Sequence, residues 1–180
     1  LAPPITFEAE GVQYVSILTG TGGGDLFSGE PLPPVSEHAS LTYNNSGRLL
    51  VFKLGGAVEL SVPNHRDRSI PAQDLTQVND SAIARGELHY NEYCGFCHGL
   101  VVRSGGAIAD LRQMNDATHE VFNQIVIDGI YGSKGMAGFA DVLTPSQADD
   151  IHQFVRARAN QDREVSLGNM KPELAQLTWQ

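Results

Sequence analysis

Basic residues are scarce in this chain. Twelve Lys and Arg stand against 21 Asp and Glu, for a formal net charge of −9. They are also scattered, so nucleic acid is excluded as a partner, because phosphate binding needs clustered cations. The acidic balance fits a basic or neutral docking partner, and equally fits simple solubility. No stretch approaches the roughly twenty apolar residues needed to cross a bilayer. Leu1-Ala2-Pro3-Pro4 has neither the basic start nor the apolar run of a signal peptide, so a mature chain or a piece of a longer one is expected. Cysteine is nearly absent: Cys94 and Cys97 are the only two. If both serve another purpose there is no disulfide, and cysteine usage leaves the redox compartment open.

What is present points to a folded chain. A hydrophobic fraction of 41% with 18% charged residues is globular composition, and 180 residues suffice for one domain or a small domain with a large appendage. Nineteen glycines and nine prolines are too many for an all-helical chain, and the prolines concentrate before residue 75.

Residues 1–60 read as strands. Ile5-Thr6-Phe7-Glu8 and Val12 to Leu18 flank a turn at Ala9-Glu10-Gly11 and predict a hairpin. Gly20-Thr21-Gly22-Gly23-Gly24 breaks the second strand. It is no phosphate cradle, because no Lys-Ser/Thr follows and no helix opens from it. Asp25 to Ser46 is loop, with Pro31, Pro33 and Pro34 opposing a helix, and Gly47 to Leu54 is a third strand. Three strands alone bury little apolar surface, so they read as part of a larger β structure. Residues 61–78 form a linker with Pro63 and Pro71, in which His65 is solvated.

Residues 79–160 change character. Asn79 or Asp80 caps a helix carrying Ile83, Leu88 and Tyr90 into Cys94, with Gly86 and Tyr90 one turn apart where a second helix can approach. Asp116 or Thr118 caps a helix striped by Phe122, Ile125 and Val126 and ended by Gly129. Thr144-Pro145-Ser146-Gln147 is a capping box with proline at the first helical position; Ile151, Phe154 and Val155 follow, with Arg156 and Arg158 near the helix end. Residues 161–180, with Trp179, form a tail.

Cys94-Gly95-Phe96-Cys97-His98 is the attachment signature of a c-type haem, two thiols for the vinyl groups and an imidazole beneath the iron. A thioredoxin-like reading needs a βαβ setting that is lacking. Zinc would need two further ligands from His65, His89, His119 or His152, which have no recognisable spacing. One covalent haem c is therefore expected, with Cys94 and Cys97 as thioether anchors and His98 as proximal ligand. Haem c is attached outside the bacterial cytoplasm, which implies a periplasmic location. Met136, in the glycine-punctuated Gly135-Met136-Ala137-Gly138-Phe139 loop, is the preferred sixth ligand over Met114 and Met170. A carbonyl near Ile108 or Ala109 is expected to hold the His98 ring, and Arg112 to contact a haem propionate. His119 and His152 read as structural.

Together with Pro4 to Glu8, Gly11 to Val15, Gly47 to Leu54, Ala84-Arg85-Gly86 and Ile151 to Ala159, these motifs resemble the C-terminal part of quinohaemoprotein alcohol dehydrogenases. That resemblance implies a mainly α, cytochrome c-like haem domain, preceded by a β-rich segment like the final strands of an eight-bladed β-propeller. It implies the haem roles of Cys94, Cys97, His98 and Met136. It also implies partners: a pyrroloquinoline quinone (PQQ) propeller domain or chain, and an external electron acceptor such as a cytochrome, a copper protein or the quinone pool. Two residues depart from the family pattern, Thr21 where a tryptophan near the quinone is usual and Ala109 where a proline is usual. PQQ, calcium and the catalytic aspartate belong to the propeller part that this sequence lacks, so no residue here is catalytic and the chain alone is not expected to oxidise alcohols. The implied role is an electron-transfer module. A free-standing periplasmic cytochrome c with a β-rich extension, and a non-redox fragment completing another chain's propeller, are the alternatives.

Overall fold

The computed structural model describes residues 3–19, 43, 47–65, 67–76, 78–104 and 108–171. The glycine-rich turn with Thr21, the prolines of the following loop, Gly105 to Ala107 and the tail with Trp179 lie outside the described residues. The chain divides into two compact units, Leu1–Asp67 with Gly105–Ile108, and Arg68–Ser104 with Ala109–Gln180.

The first unit is an antiparallel sheet of β1 (Ile5–Ala9), β2 (Val12–Thr19) and β3 (Arg48–Lys53), in that order. Ala9 pairs with Val12, leaving Glu10-Gly11 as a two-residue turn, and both residues have positive φ, 52° and 74°. That is the primed turn whose twist matches the strands it joins. The register sets Phe7 opposite Tyr14, their rings stacked at 5.2 Å, and Leu49 opposite Leu18. One face thereby collects Ile5, Phe7, Val12, Leu18, Leu49 and Val51, all exposed, and Val15 and Phe52 are exposed on the other. Beyond β3, Arg48 donates to the Ser61 carbonyl at 2.7 Å, and exposed His65 bridges to Tyr43.

The second unit is helical: α1 (Asp80–Tyr93), α2 (Gly95–His98), α3 (Asp116–Glu120), α4 (Phe122–Val126) and α5 (Pro145–Ser166). Asn79 caps α1 by accepting from the Ala82 amide. Thr144 and Gln147 close the capping box of α5, with Pro145 at its start. These two helices form the frame, and Gly86 lets them meet: a Cβ there would collide with the Asp150 carbonyl oxygen. Arg85 then forks onto the Asp150 carboxylate at 2.7 and 2.9 Å. Below the crossing, the Tyr90 ring packs on Phe154 at 5.3 Å, and Ile83, Ile151, Val155, Phe122 and Val126 complete the core. Ser69 and Asp74 present carbonyls to Gln113 and Arg156, which ties the first residues of this unit to its helices.

Three local expectations are corrected. Leu88 is 71% exposed, because it lies off the face shared by Ile83, Gly86 and Tyr90. The helix near residue 116 is capped by Asn115, whose side chain accepts from the Thr118 amide, and it breaks at Val121, where φ −106° and ψ 16° separate α3 from α4. Finally, α5 continues to Ser166, since no glycine or proline interrupts it before Gly168. Arg156 and Arg158 are consequently interior to it, and Arg163 occupies the last turn.

Candidate haem site

α1 ends at Tyr93 and leads directly into a further helical turn. The Cys94 amide donates to the Tyr90 carbonyl at 2.8 Å, and the His98 amide to the Cys94 carbonyl at 2.9 Å. Cys94, Cys97 and His98 are thus carried on one helical turn, the two thiols three residues apart. Cys94 is buried and Cys97 exposed. Burial, reinforced by the nearby Cys97, pushes the Cys94 thiol up to about 12.

His98 is buried too, and its Nδ1 lies 3.0 Å from the Ala109 carbonyl. A carbonyl only accepts, so Nδ1 carries the proton and Nε2 presents its lone pair. Burial lowers the His98 pKa against the opposing effects of the Ala109 carbonyl and Asp110, which keeps the ring neutral near pH 7. No described residue hydrogen-bonds Nε2. A neutral imidazole with Nδ1 tied and Nε2 unclaimed is the state that an iron ligand requires. Beside two thiols spaced for vinyl addition, this donor set fits a covalently held haem.

The backbone after His98 is held from α1. The Tyr90 hydroxyl donates to the Gly99 carbonyl at 2.8 Å, and a Cβ at Gly99 would collide with the Arg103 carbonyl oxygen. Within the 3-10 turn Leu100–Val102, Val101 and Val102 have φ of 50° and 65°. β-Branched residues seldom adopt that region, at a cost of about 1–3 kcal/mol each, and here it puts Val102 fully inside the core.

Met136 arrives from the other side of the sequence. A 3-10 turn at Gly132–Lys134 ends in Gly135 at φ 91°; the Met136 amide then donates to the Tyr131 carbonyl at 3.2 Å. The Phe139 amide donates to Val126 at 2.8 Å, anchoring this loop to the end of α4. Met136 and Phe139 are partly buried and pack on the core that contains Cys94. Met114, the rival, is itself a core residue, and Met170 lies beyond α5.

Arg112 is engaged within the protein. Its Nε and Nη2 fork onto Asp110 at 2.9 and 2.7 Å, and its Nη1 reaches Asp162 at 2.7 Å. Burial disfavours the charged guanidinium, yet Asp110 and Asp162 outweigh this and hold it protonated. Asp162 also accepts Arg103 at 2.8 and 3.0 Å and Arg158 at 3.2 Å. Sequence reasoning missed Asp162 and Arg103. The Arg158–Asp162 pair at i, i+4 was a readable signal for the first, but nothing in the sequence pointed to the second.

Two of the histidines considered for zinc pair with each other. His119 Nδ1 and His152 Nε2 lie 2.8 Å apart, with Phe122 parallel to His152 at 4.2 Å and the Arg156 Nε 3.4 Å from His119. Burial first, then the Arg156 cation and His119, pull His152 down to about 3. Among the described residues, no three His, Cys, Asp or Glu side chains gather as a metal site.

Residues 81–155 match a family model described as cytochrome C oxidase, cbb3-type, subunit III. Over 90% of its length the chain is 38% identical to quinohemoprotein alcohol dehydrogenase ADH IIB of Pseudomonas putida, covering 23% of that protein. A solved quinohemoprotein alcohol dehydrogenase, ADHIIG of Pseudomonas putida HK5, superposes with a TM-score of 0.74 at 28% identity, over 97% of this chain and 24% of the other. The chain matches the C-terminal, cytochrome c part of quinohaemoprotein alcohol dehydrogenases. The dehydrogenase subunit of alcohol dehydrogenase (quinone) from Komagataeibacter europaeus is 32% identical over 92% of the chain, which spans 22% of that subunit. The chain thus spans less than a quarter of the length of each of these proteins, and its helical unit matches a cytochrome c domain.

Proposed function

We propose that this cytochrome c domain takes electrons from reduced PQQ during alcohol oxidation and passes them to an external acceptor, such as a cytochrome, a copper protein or the quinone pool. One haem c would supply the one-electron redox couple. The protein's part is to hold and tune that couple. Cys94 and Cys97 would tether it, and His98 through Nε2 and Met136 through its thioether would be its iron ligands. Histidine–methionine ligation sets a higher potential than bis-nitrogen ligation, as suits an electron acceptor. The observation that carries the reading is the buried, neutral His98 ring tied through Nδ1 to Ala109, on the same turn as both thiols.

The sheet is read with it. Residues 1–60 are assigned to the last strands of an eight-bladed propeller and the residues from 61 to the late sixties to the linker; the haem domain follows and takes in α5 to Ser166, with the tail beyond it. Strands apolar on both faces belong inside a stack of sheets, and β2 and β3 have that character. PQQ and calcium are assigned to the rest of the propeller, and the assembly to the periplasm. Arg112 uses three of its guanidinium N–H donors on Asp110 and Asp162, and its two remaining donors are the ones assigned to a haem propionate.

The test is alcohol-dependent reduction of the haem-loaded chain, with and without a PQQ propeller chain. Reduction only in the presence of that chain is the expected result. Reduction by alcohol without it would overturn the division of labour, and a chain reducible by ascorbate but never by the propeller would favour a free-standing cytochrome c. Met136→Ala should keep the covalent haem but lose the low-spin histidine–methionine spectrum. Retention of that spectrum would exclude Met136.

A further inference from the structure

We infer that Asp162 is a positioning residue for the His98 imidazole: from α5 it holds Arg103, which follows the His98 turn, and Arg112, which is locked to Asp110 beside the Ala109 carbonyl. The inference rests on His98 being the iron ligand, as proposed above.

After His98 the chain leaves the helical turn through the left-handed Val101-Val102 pair and comes to Arg103, whose Nε and Nη2 meet the two Asp162 oxygens at 3.0 and 2.8 Å. Three residues beyond Ala109 stands Arg112, whose Nη1 meets Asp162 Oδ2 at 2.7 Å. One carboxylate therefore joins both arginines to α5, across sequence separations of 59 and 50 residues. The link onward to Ala109 is short. Arg112 donates its backbone amide, Nε and Nη2 to the Asp110 carboxylate at 3.1, 2.9 and 2.7 Å, and Asp110 is the next residue after Ala109. Asp110 in turn accepts the Gln113 amide on its carbonyl at 3.0 Å, which closes the Leu111–Gln113 turn.

The centre of this chain of contacts is buried and forked. Asp162 and Arg112 are both 6% exposed, and the two-pronged contacts of Arg103 with Asp162 and of Arg112 with Asp110 fix direction as well as distance. Burial opposes the charge on Asp162, but Arg103, Arg112 and Arg158 hold it ionised. The dependence at the far end is steep. The His98–Ala109 bond is 3.0 Å, so a carbonyl displaced by about 0.5 Å would sit at the outer edge of hydrogen bonding. A weakened bond lowers the basicity of the ring and raises the potential of an iron it ligates.

Asp162→Asn in the haem-loaded full chain is the test, read by NMR of the His98 Nδ1–H in the reduced protein and by the midpoint potential. Expected are at least tenfold faster Nδ1–H exchange, a shifted resonance, and a potential higher by about 59 mV, the one-electron equivalent of a tenfold change. Asp162→Glu, which keeps the charge, should restore most of both. Should Asp162→Asn not fold, Arg103→Lys keeps the charge at that position and loses the fork, and should move both readings the same way by less. A raised potential with an unchanged Nδ1–H would overturn the inference in favour of charge alone, and no change in either would overturn it outright. A wild-type protein lacking a haem-shifted His98 resonance would instead overturn the ligand assignment on which the inference stands.

Discussion

In the helical unit Tyr90, Phe154, Ile151, Val102 and Val155 are each less than 2% exposed, while in the sheet Ile5 and Leu49 are each 62% exposed. Both sequences are rich in apolar residues at the right period, so the difference is one of partners rather than of composition. A helix hides its stripe against one neighbour, and α1 and α5 supply that to each other. A strand has two faces, and three strands leave both short of cover. Fully burying such side chains gains about 1.5–3 kcal/mol each, a gain that the exposed residues of β1 to β3 largely forgo. The helical unit thus covers its own apolar stripes, and the sheet leaves much of its apolar surface exposed.

Four substitutions or conditions bear on this comparison. The largest effect is expected for Gly99→Ala, which forces a methyl group into the Arg103 carbonyl at a φ of 85°. It should cost the helical unit more than about 4 kcal/mol in chemical denaturation followed by the helical signal. An unchanged midpoint would show that the turn after His98 is looser than described. Acid should come next. Burial and Arg156 hold His152 neutral down to about 3, against 6.5 for the unfolded chain. Between those values the unfolded state binds a proton that the folded state refuses, so stability falls as pH falls from about 6.5 towards 3. The loss should be on the order of 3 kcal/mol after allowance for partial exposure, and His152→Gln should flatten the profile of melting temperature against pH. An equally steep profile in that variant would assign the acid sensitivity elsewhere.

Thr144→Ala removes one half of the α5 capping box and should lower stability by about 1 kcal/mol, read as a shift of the same denaturation midpoint. Leu49→Thr on the open face of the sheet should change stability by less than about 0.5 kcal/mol while reducing self-association at high concentration by sedimentation. A large destabilisation there would mean that the sheet face is already covered in the isolated chain, and the contrast between the units would collapse.

Much of this was legible in the sequence because it is governed by neighbours along the chain. The Glu10-Gly11 turn, the Thr144-Pro145-Ser146-Gln147 helix start, the Gly86–Tyr90 spacing and the Cys94 to His98 turn are all local rules, and each is found in the structure. The carbonyl that holds His98 was narrowed to two residues and is that of Ala109. What escaped were arrangements assembled from distant segments. Asp162 gathers arginines 59, 50 and 4 residues away, and only the last separation has a helical meaning. His119 and His152 pair across 33 residues for the same reason. The break at Val121 escaped because no glycine or proline marks it.

The two cysteines differ in access. Cys97 is open to solvent, but Cys94 is shut in at 7% exposure with a thiol pushed up to about 12. A thiol reagent meeting the folded, haem-free chain should therefore find one sulfur and not the other.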